Sequence, residues 1–283
     1  MIAQALMSWG WQGLALLIFI GLSVGSFLNV VIYRLPVMLN RQWEGQAREI
    51  LNEPQQSTEP FNLMVPRSRC PSCGATIGAL ENVPVLSWIA LRGRCRHCKA
   101  GISARYPLVE VLTAAASVAV VAGFGYTWLG LACLVFTWAL VALTFIDYDT
   151  QLLPDQITLP LVWLGLLTNL LGGVVPLADA VVGAVAGYLF LWATYWAFKL
   201  ITGKEGMGYG DFKLFAAIGA WLGWQMLPAT VLIACSAALL YALATTVASK
   251  RESSQPIPFG PFLAIGGWGS LGARDTLLPL FLP

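Results

Sequence analysis

The chain has 283 residues, 58% of them hydrophobic and 11% charged, whereas a soluble globular domain carries about 25% charged residues; an ordinary soluble protein is excluded. A net charge of +2 lacks the basicity that drives binding to a phosphate backbone, so no nucleic-acid partner is expected. With 12 Trp, 28 Gly and a mean hydropathy of +0.72, the composition predicts an all-α polytopic membrane protein embedded in a lipid bilayer.

A membrane span takes about 20 predominantly apolar residues. Gly13 to Tyr33 provides 21 without a charged side chain. No Lys or Arg precedes this stretch and no small-residue cleavage site follows it, so residues 1–33 are expected to be retained as a first transmembrane helix. From Arg34 to Tyr106 the composition turns polar, which predicts a soluble insert over residues 34–106. Leu39, Trp43, Ala47 and Ile50 recur there at helical spacing between Arg41, Glu44, Arg48 and Glu49, as in an amphipathic helix lying on the membrane or on the insert's own core.

An insert of this size generally needs a staple such as a metal. It has Cys70-Pro71-Ser72-Cys73 and Cys95-Arg96-His97-Cys98, two C-x2-C knuckles separated by 21 residues. In a zinc ribbon each such knuckle lets two thiolates bite one tetrahedral ion from a tight turn. Cys70, Cys73, Cys95 and Cys98 are therefore predicted to hold a structural Zn²⁺, with Arg94, Arg96 and Lys99 offsetting the thiolate charge. A closed four-thiolate site leaves no position for a reactive water. The alternatives are reduced free cysteines or two disulfides, and a cytoplasmic location disfavours the latter; His97 could replace one ligand but reads more simply as a loop residue.

The remaining chain, residues 107–283, is expected to form a seven-helix membrane domain, giving about eight transmembrane helices in all. The uncharged stretch Val111 to Ile146 divides at Gly123 to Trp128 into spans two and three. Ile157 to Ala178 and Ala180 to Phe198 are the fourth and fifth, separated near Gly172, Gly173 and Pro176. Leu214 to Ser249 divides around Gly223 to Gln225 and Pro228 into spans six and seven, and Pro258 to Ala273 is the eighth. Cys133 and Cys235 lie singly inside spans and are expected to be buried as small apolar residues. Ten of the 16 Lys and Arg fall in the insert, and Lys199, Lys204, Lys213, Lys250 and Arg251 fall in loops an even number of crossings away, leaving only Arg274 opposite. Because cytoplasmic loops carry the positive excess, the insert is placed in the cytoplasm and both termini outside it.

Ionisable residues at span ends are functional suspects. Asp147 and Asp149 lie at the predicted cytoplasmic end of span three, followed by Asp155, and Asp211 lies in Gly206-Met207-Gly208-Tyr209-Gly210-Asp211 before span six. Two carboxyls brought together do not both ionise easily: one keeps a proton while the other acts as base. That is what metal-free hydrolysis of a peptide by activated water needs. Gly206, Gly208 and Gly210 would let the backbone beside Asp211 adopt positive φ and let an extended strand approach. More modest roles stand beside this: Asp211 and Asp155 as caps of spans six and four, Asp147 and Asp149 as interfacial anchors. A proton- or cation-coupled membrane transporter could use the same aspartates.

These motifs together identify a likeness. Gly25-Ser26-Phe27-Leu28-Asn29 with Arg34-Leu35-Pro36, the two cysteine knuckles, Arg105 to Glu110, Asp147 to Asp155, Gly206 to Lys213 and Pro256 to Pro261 resemble the prepilin peptidase family, the bifunctional leader peptidases and N-methyltransferases of type IV pilus and type II secretion systems. The resemblance covers nearly the whole chain. It implies a G-x-G-D aspartic protease of the bacterial inner membrane, with that motif on Gly208 to Asp211, Asp147 as the second catalytic aspartate, and Asp149 and Asp155 as supporting residues. Thr150 stands where many relatives have His. The likeness further implies cleavage of a basic prepilin or pseudopilin leader after Gly on the cytoplasmic side. Methylation of the new N-terminal residue, with S-adenosylmethionine as cofactor, would follow; no residue is assigned to the donor. Between Arg41 and Glu59 four Glu stand against two Arg, an acidic segment that could steer a basic leader.

Overall fold

A computed structural model describes residues 10–54, 59–247 and 257–281. The predicted end of span seven at Ser249, Lys250, Arg251 and Pro256 lie outside the described residues. The chain divides into two compact units, Met1–Tyr126 and Thr127–Pro283.

The first unit is built on α1, Gly10–Ile50, a single helix of 41 residues. At 1.5 Å per residue it is about 60 Å long, twice the hydrocarbon thickness of a bilayer. The polar boundary at Arg34 is therefore not a helix end. Past Pro36 the chain runs through Leu, Arg, Gln, Glu and Ala, all good helix formers, until Asn52 takes a left-handed φ of 55° and the N–H of Glu53 returns to the Arg48 carbonyl at 2.8 Å. Of the amphipathic stripe only Leu39 is buried; Trp43, Ala47 and Ile50 are exposed, so the stripe does not pack on the insert's core. The buried Arg34 donates to the carbonyls of Asn62 at 2.8 Å and Pro66 at 2.6 Å, fastening the insert to the helix. Short α2, Leu86–Ala90, follows the first knuckle. The unit closes with α3, Arg105–Phe124. Gly21 and Gly25 let α1 and α3 touch: a Cβ on Gly25 would lie 2.6 Å from the Glu110 Cα, the small-residue packing that holds helices together in lipid.

The second unit comprises α4 (Trp128–Thr150), α5 (Asp155–Leu170), α6 (Leu177–Thr202), α7 (Tyr209–Leu222), α8 (Leu227–Val247), α9 (Gly260–Gly272) and the short α10 (Arg274–Phe281). Five helices among the described residues are long and apolar enough to cross a membrane: α1, α3, α4, α6 and the run Trp224–Val247. The other predicted spans form helices of 16, 14 and 13 residues (α5, α7, α9), short of the required ~20, so a count of eight spans is not established.

The reason is clearest at α7. From Phe212 to Leu222 nearly every side chain is buried, and a helix apolar on all faces belongs inside a bundle rather than against solvent or lipid. Gly183 and Gly187 of α6 face the carbonyls of Gly219 and Phe215 with no room for a Cβ. Trp221 stacks on Phe136 of α4 with ring centroids 4.8 Å apart and donates its indole N–H to the Leu161 carbonyl of α5 at 2.9 Å. Asn169, also on α5, donates to the carbonyls of Ala220 at 2.8 Å and Trp221 at 3.1 Å, and accepts the N–H groups of Val174 at 2.7 Å and Val175 at 3.0 Å. It thereby satisfies carbonyls at the end of α7 that the helix itself leaves open. Cys133 is buried as expected, but Cys235 is exposed. It lies on the same outward stripe of α8 as Leu232 and Leu239, three and four positions away.

Candidate active site

Helix α4 ends at Thr150, with Gln151 in the left-handed conformation at φ 54° closing it. Asp147 therefore sits in its last turn. Asp211 sits in the first turn of α7, which starts after Gly208. Sixty-four positions apart in sequence, the two carboxyls lie close enough to interact electrostatically, and the side chains are only 5% and 7% exposed. Asp147 accepts the backbone N–H of Gly260, the first residue of α9, at 3.0 Å through Oδ2. Oδ1 of Asp211 is buried without a hydrogen-bond partner.

Leu153 is buried against Gly210 and Gly260. A Cβ on Gly210 would fall 2.7 Å from the Leu153 Cβ, and a Cβ on Gly260 would fall 3.2 Å from the Leu153 Cδ2 and 2.7 Å from Oδ2 of Asp147. The starts of α7 and α9 thus close around one leucine and one carboxylate only because both carry glycine there. Gly206 has the same character, its absent Cβ facing the Phe198 ring at 2.8 Å. None of Gly206, Gly208 and Gly210 has positive φ, so the expected left-handed backbone is not what this segment uses; Gly206 and Gly210 serve close approach instead. Asp149 is exposed, on the side of α4 away from the buried pair. Asp155 is not a cap, since that place belongs to Pro154; it pairs with Lys213 at 2.6 and 2.8 Å, tying the starts of α5 and α7. Asp211 is not the cap either, since Gly208 holds that position, but its carboxylate accepts a backbone hydrogen bond from Gly208.

Gly260 and Leu153 are contributors that sequence reasoning assigned no role. The available signal for Gly260 was the run Phe259-Gly260-Pro261 before an uncharged stretch, since Pro just inside a helix start marks the end whose N–H groups are open. Nothing marked Leu153 among the other leucines.

Four cysteines form the second cluster, in the first unit. The Sγ atoms of Cys70, Cys73, Cys95 and Cys98 lie within 4.8 Å of one another, and this group does not include His97. Cys70 and Cys98 are 3.8 Å apart, matching the roughly 3.8 Å between two sulfurs held at ~2.3 Å by a tetrahedral ion. No disulfide joins any of the four in this structure. The two knuckles repeat one geometry. Cys70 N–H bonds to Ala75 O at 2.9 Å and Cys95 N–H to Ala100 O at 2.8 Å, with Gly74 and Lys99 at the left-handed fourth position. Such turns aim N–H groups at the sulfur: those of Cys73 and Ser72 lower the Cys70 thiol to about 6, and those of Cys98 and His97 lower Cys95. A thiol that gives up its proton readily is a better metal ligand. Arg96 does not face the sulfurs but pairs with Glu81 at 3.4 Å. These residues could hold a metal ion.

Residues 19–124 match the bacterial peptidase A24 N-terminal domain and residues 134–243 the type IV leader peptidase family. Proteins called prepilin leader peptidase/N-methyltransferase are similar over nearly their full length. That of Aeromonas hydrophila is 57% identical, covering 96% of this chain and 94% of the relative. Those of Stutzerimonas stutzeri and Pseudomonas aeruginosa are 53% and 51% identical, covering 93% and 94% of this chain and 91% and 92% of theirs. No solved structure matches. Two buried, interacting carboxyls on converging helix ends and a four-thiolate cluster are thus found in a chain that belongs to the type IV leader peptidase family.

Proposed function

We propose that this chain is a multi-pass enzyme of the bacterial inner membrane that removes the basic leader of type IV prepilins and pseudopilins after Gly, on the cytoplasmic side, and then methylates the exposed N-terminus. One observation carries the proteolytic half: the meeting of Asp147 and Asp211, both buried, in a pocket of helix ends. Two buried carboxyls that interact do not both ionise easily, so one keeps a proton while the other acts as base. The ionised member takes a proton from water as its oxygen attacks the scissile carbonyl; the protonated member donates to the carbonyl oxygen. When the C–N bond breaks, the leaving amine receives the proton first taken from water. Gly206 and Gly210 let Phe198 and Leu153 close on the segment before Asp211, Gly208 leaves the backbone between them open, and Asp149, at the exposed edge, supports the loop without touching the reacting atoms.

Methylation fits the same product, since cleavage frees an α-amino group whose pKa of about 8 leaves a neutral fraction able to attack a sulfonium methyl. S-adenosylmethionine supplies that methyl, and no residue is assigned to it. Cys70, Cys73, Cys95 and Cys98 would hold Zn²⁺, whose part is to staple the insert. Both termini lie outside the cytoplasm on the distribution of Lys and Arg. A proton- or cation-coupled transporter finds no support, because the named relatives are all enzymes.

Purified protein incubated with a synthetic prepilin in detergent tests the reading. Asp147→Asn and Asp211→Asn abolish leader release and Asp149→Asn does not; full activity in either of the first two removes the proposal.

A further inference from the structure

The two carboxyls are not equivalent. Asp147 is held from outside its own helix, by the N–H that opens α9. That helix end carries partial positive charge from its open N–H groups, and an N–H bonded to a carboxylate favours the ionised form. Asp211 takes its backbone bond from Gly208, at the start of its own helix, and its Oδ1 is buried with no donor. An ionised oxygen in that state carries its full desolvation cost, whereas a protonated carboxyl does not. Asp211 on α7 interacts with Asp147, while Tyr148 and Asp149, which follow within two positions on its own helix, are exposed. Across the described residues of α9 there is no ionisable side chain, so its contribution is the backbone alone.

We infer that the Gly260 N–H is a positioning group that fixes Asp147 as the base, leaving Asp211, with one buried oxygen that no donor satisfies, as the protonated acid. The inference rests on the aspartic protease reading above and deepens it. Glycine is required at 260 for a geometric reason. A Cβ 2.7 Å from Oδ2 and 3.2 Å from Leu153 is relieved only by displacing the carboxylate, because Leu153 is already wedged against Gly210. In water activation the proton passes to Asp147 as the O–C bond forms; the carbonyl π pair moves to oxygen, which takes the Asp211 proton. Collapse returns a proton to Asp211 and sends the other from Asp147 to the amine nitrogen as the C–N bond breaks.

The test is Gly260→Ala against Gly272→Ala, a position on the same helix with open space around it. Gly260→Ala should lower kcat by about 10²-fold, the scale of a misplacement near 1 Å, with KM within about two-fold of wild type, as expected when only transition-state stabilisation is lost. Gly272→Ala should change neither. Wild-type kcat in Gly260→Ala overturns the inference, and so does a loss carried by KM. Should Gly260→Ala not fold, infrared difference spectra of the full-length Asn variants decide the matter through the C=O stretch of a protonated carboxyl, identified by its shift in D2O. The band should persist in Asp147→Asn and vanish in Asp211→Asn; any other pattern overturns the division of roles. If instead both Asn variants cleave prepilin, the protease reading itself falls, and that outcome is distinct from an inactive pair with an unaffected Gly260→Ala.

Discussion

Asn169 offers the most direct test of how the fold holds Asp211. Its side chain is 5% exposed and serves four backbone groups, two carbonyls at the end of α7 and two N–H groups of the loop after α5. Replacing it with Leu keeps the volume and removes all four partners at once. Hydrogen bonds within membrane proteins contribute about 0.6 kcal/mol each and those in soluble proteins about 1, so the loss is about 2–4 kcal/mol. At roughly 2–4 °C per kcal/mol for a unit of this size, the unfolding midpoint should fall by about 5–15 °C. Asn169→Asp retains the two acceptor functions but turns an oxygen toward the two carbonyls, and should be no better than Leu. Intrinsic fluorescence suits the assay in detergent, since Trp221 lies beside the lost bonds. The kcat for prepilin should fall as well, because the other end of α7 carries Asp211. A midpoint for Asn169→Leu within about 2 °C of wild type would refute the claim that this side chain secures α7.

Other outcomes follow from the same geometry. Gly210→Ala places a Cβ 2.7 Å from that of Leu153, a backbone-proximal clash costing about 1–3 kcal/mol; it should lower both the unfolding midpoint and kcat, whereas Gly123→Ala, at an open position, should lower neither. Metal analysis of the purified protein should find one zinc per chain, lost in Cys95→Ser. Without it, limited proteolysis should open the insert between residues 59 and 104, while a wild-type chain free of zinc would remove the staple. Glu44, Glu49, Glu53 and Glu59 are all exposed. Their combined reversal to Lys should raise KM for basic leaders at low salt and lose that effect at high salt, where charges are screened; an unchanged KM at low salt would end the steering idea.

Much of this was legible before any coordinate, and the limits of legibility are physical. Apolar run length located every helix of the second unit except α10, because burial in lipid or in a bundle both demand unbroken apolar sequence. That same ambiguity hid the fact that α7 is a core helix. Arg34 reads as the end of a span because charge leaves the hydrocarbon, yet helix propensity does not change there and α1 continues to Ile50. The aspartates stood out as charges in an uncharged chain. Gly260 did not, since its contribution is a backbone N–H delivered across 113 positions, and no side chain records it. Cys235 shows the converse: a small apolar residue on an outward-facing stripe looks in sequence like one in the core.

The shortness of α7 bears on how the protein is made. At 14 residues it reaches about 21 Å, well under the roughly 30 Å of the hydrocarbon layer, and it is held by packing against α5, α6 and α9 and by the Phe136 ring of α4. Asp211 therefore meets Asp147 only after those partners have been threaded into the bilayer and have docked. If that pair is the catalytic one, a nascent chain carries both acids unassembled and cleaves nothing until its folding is complete.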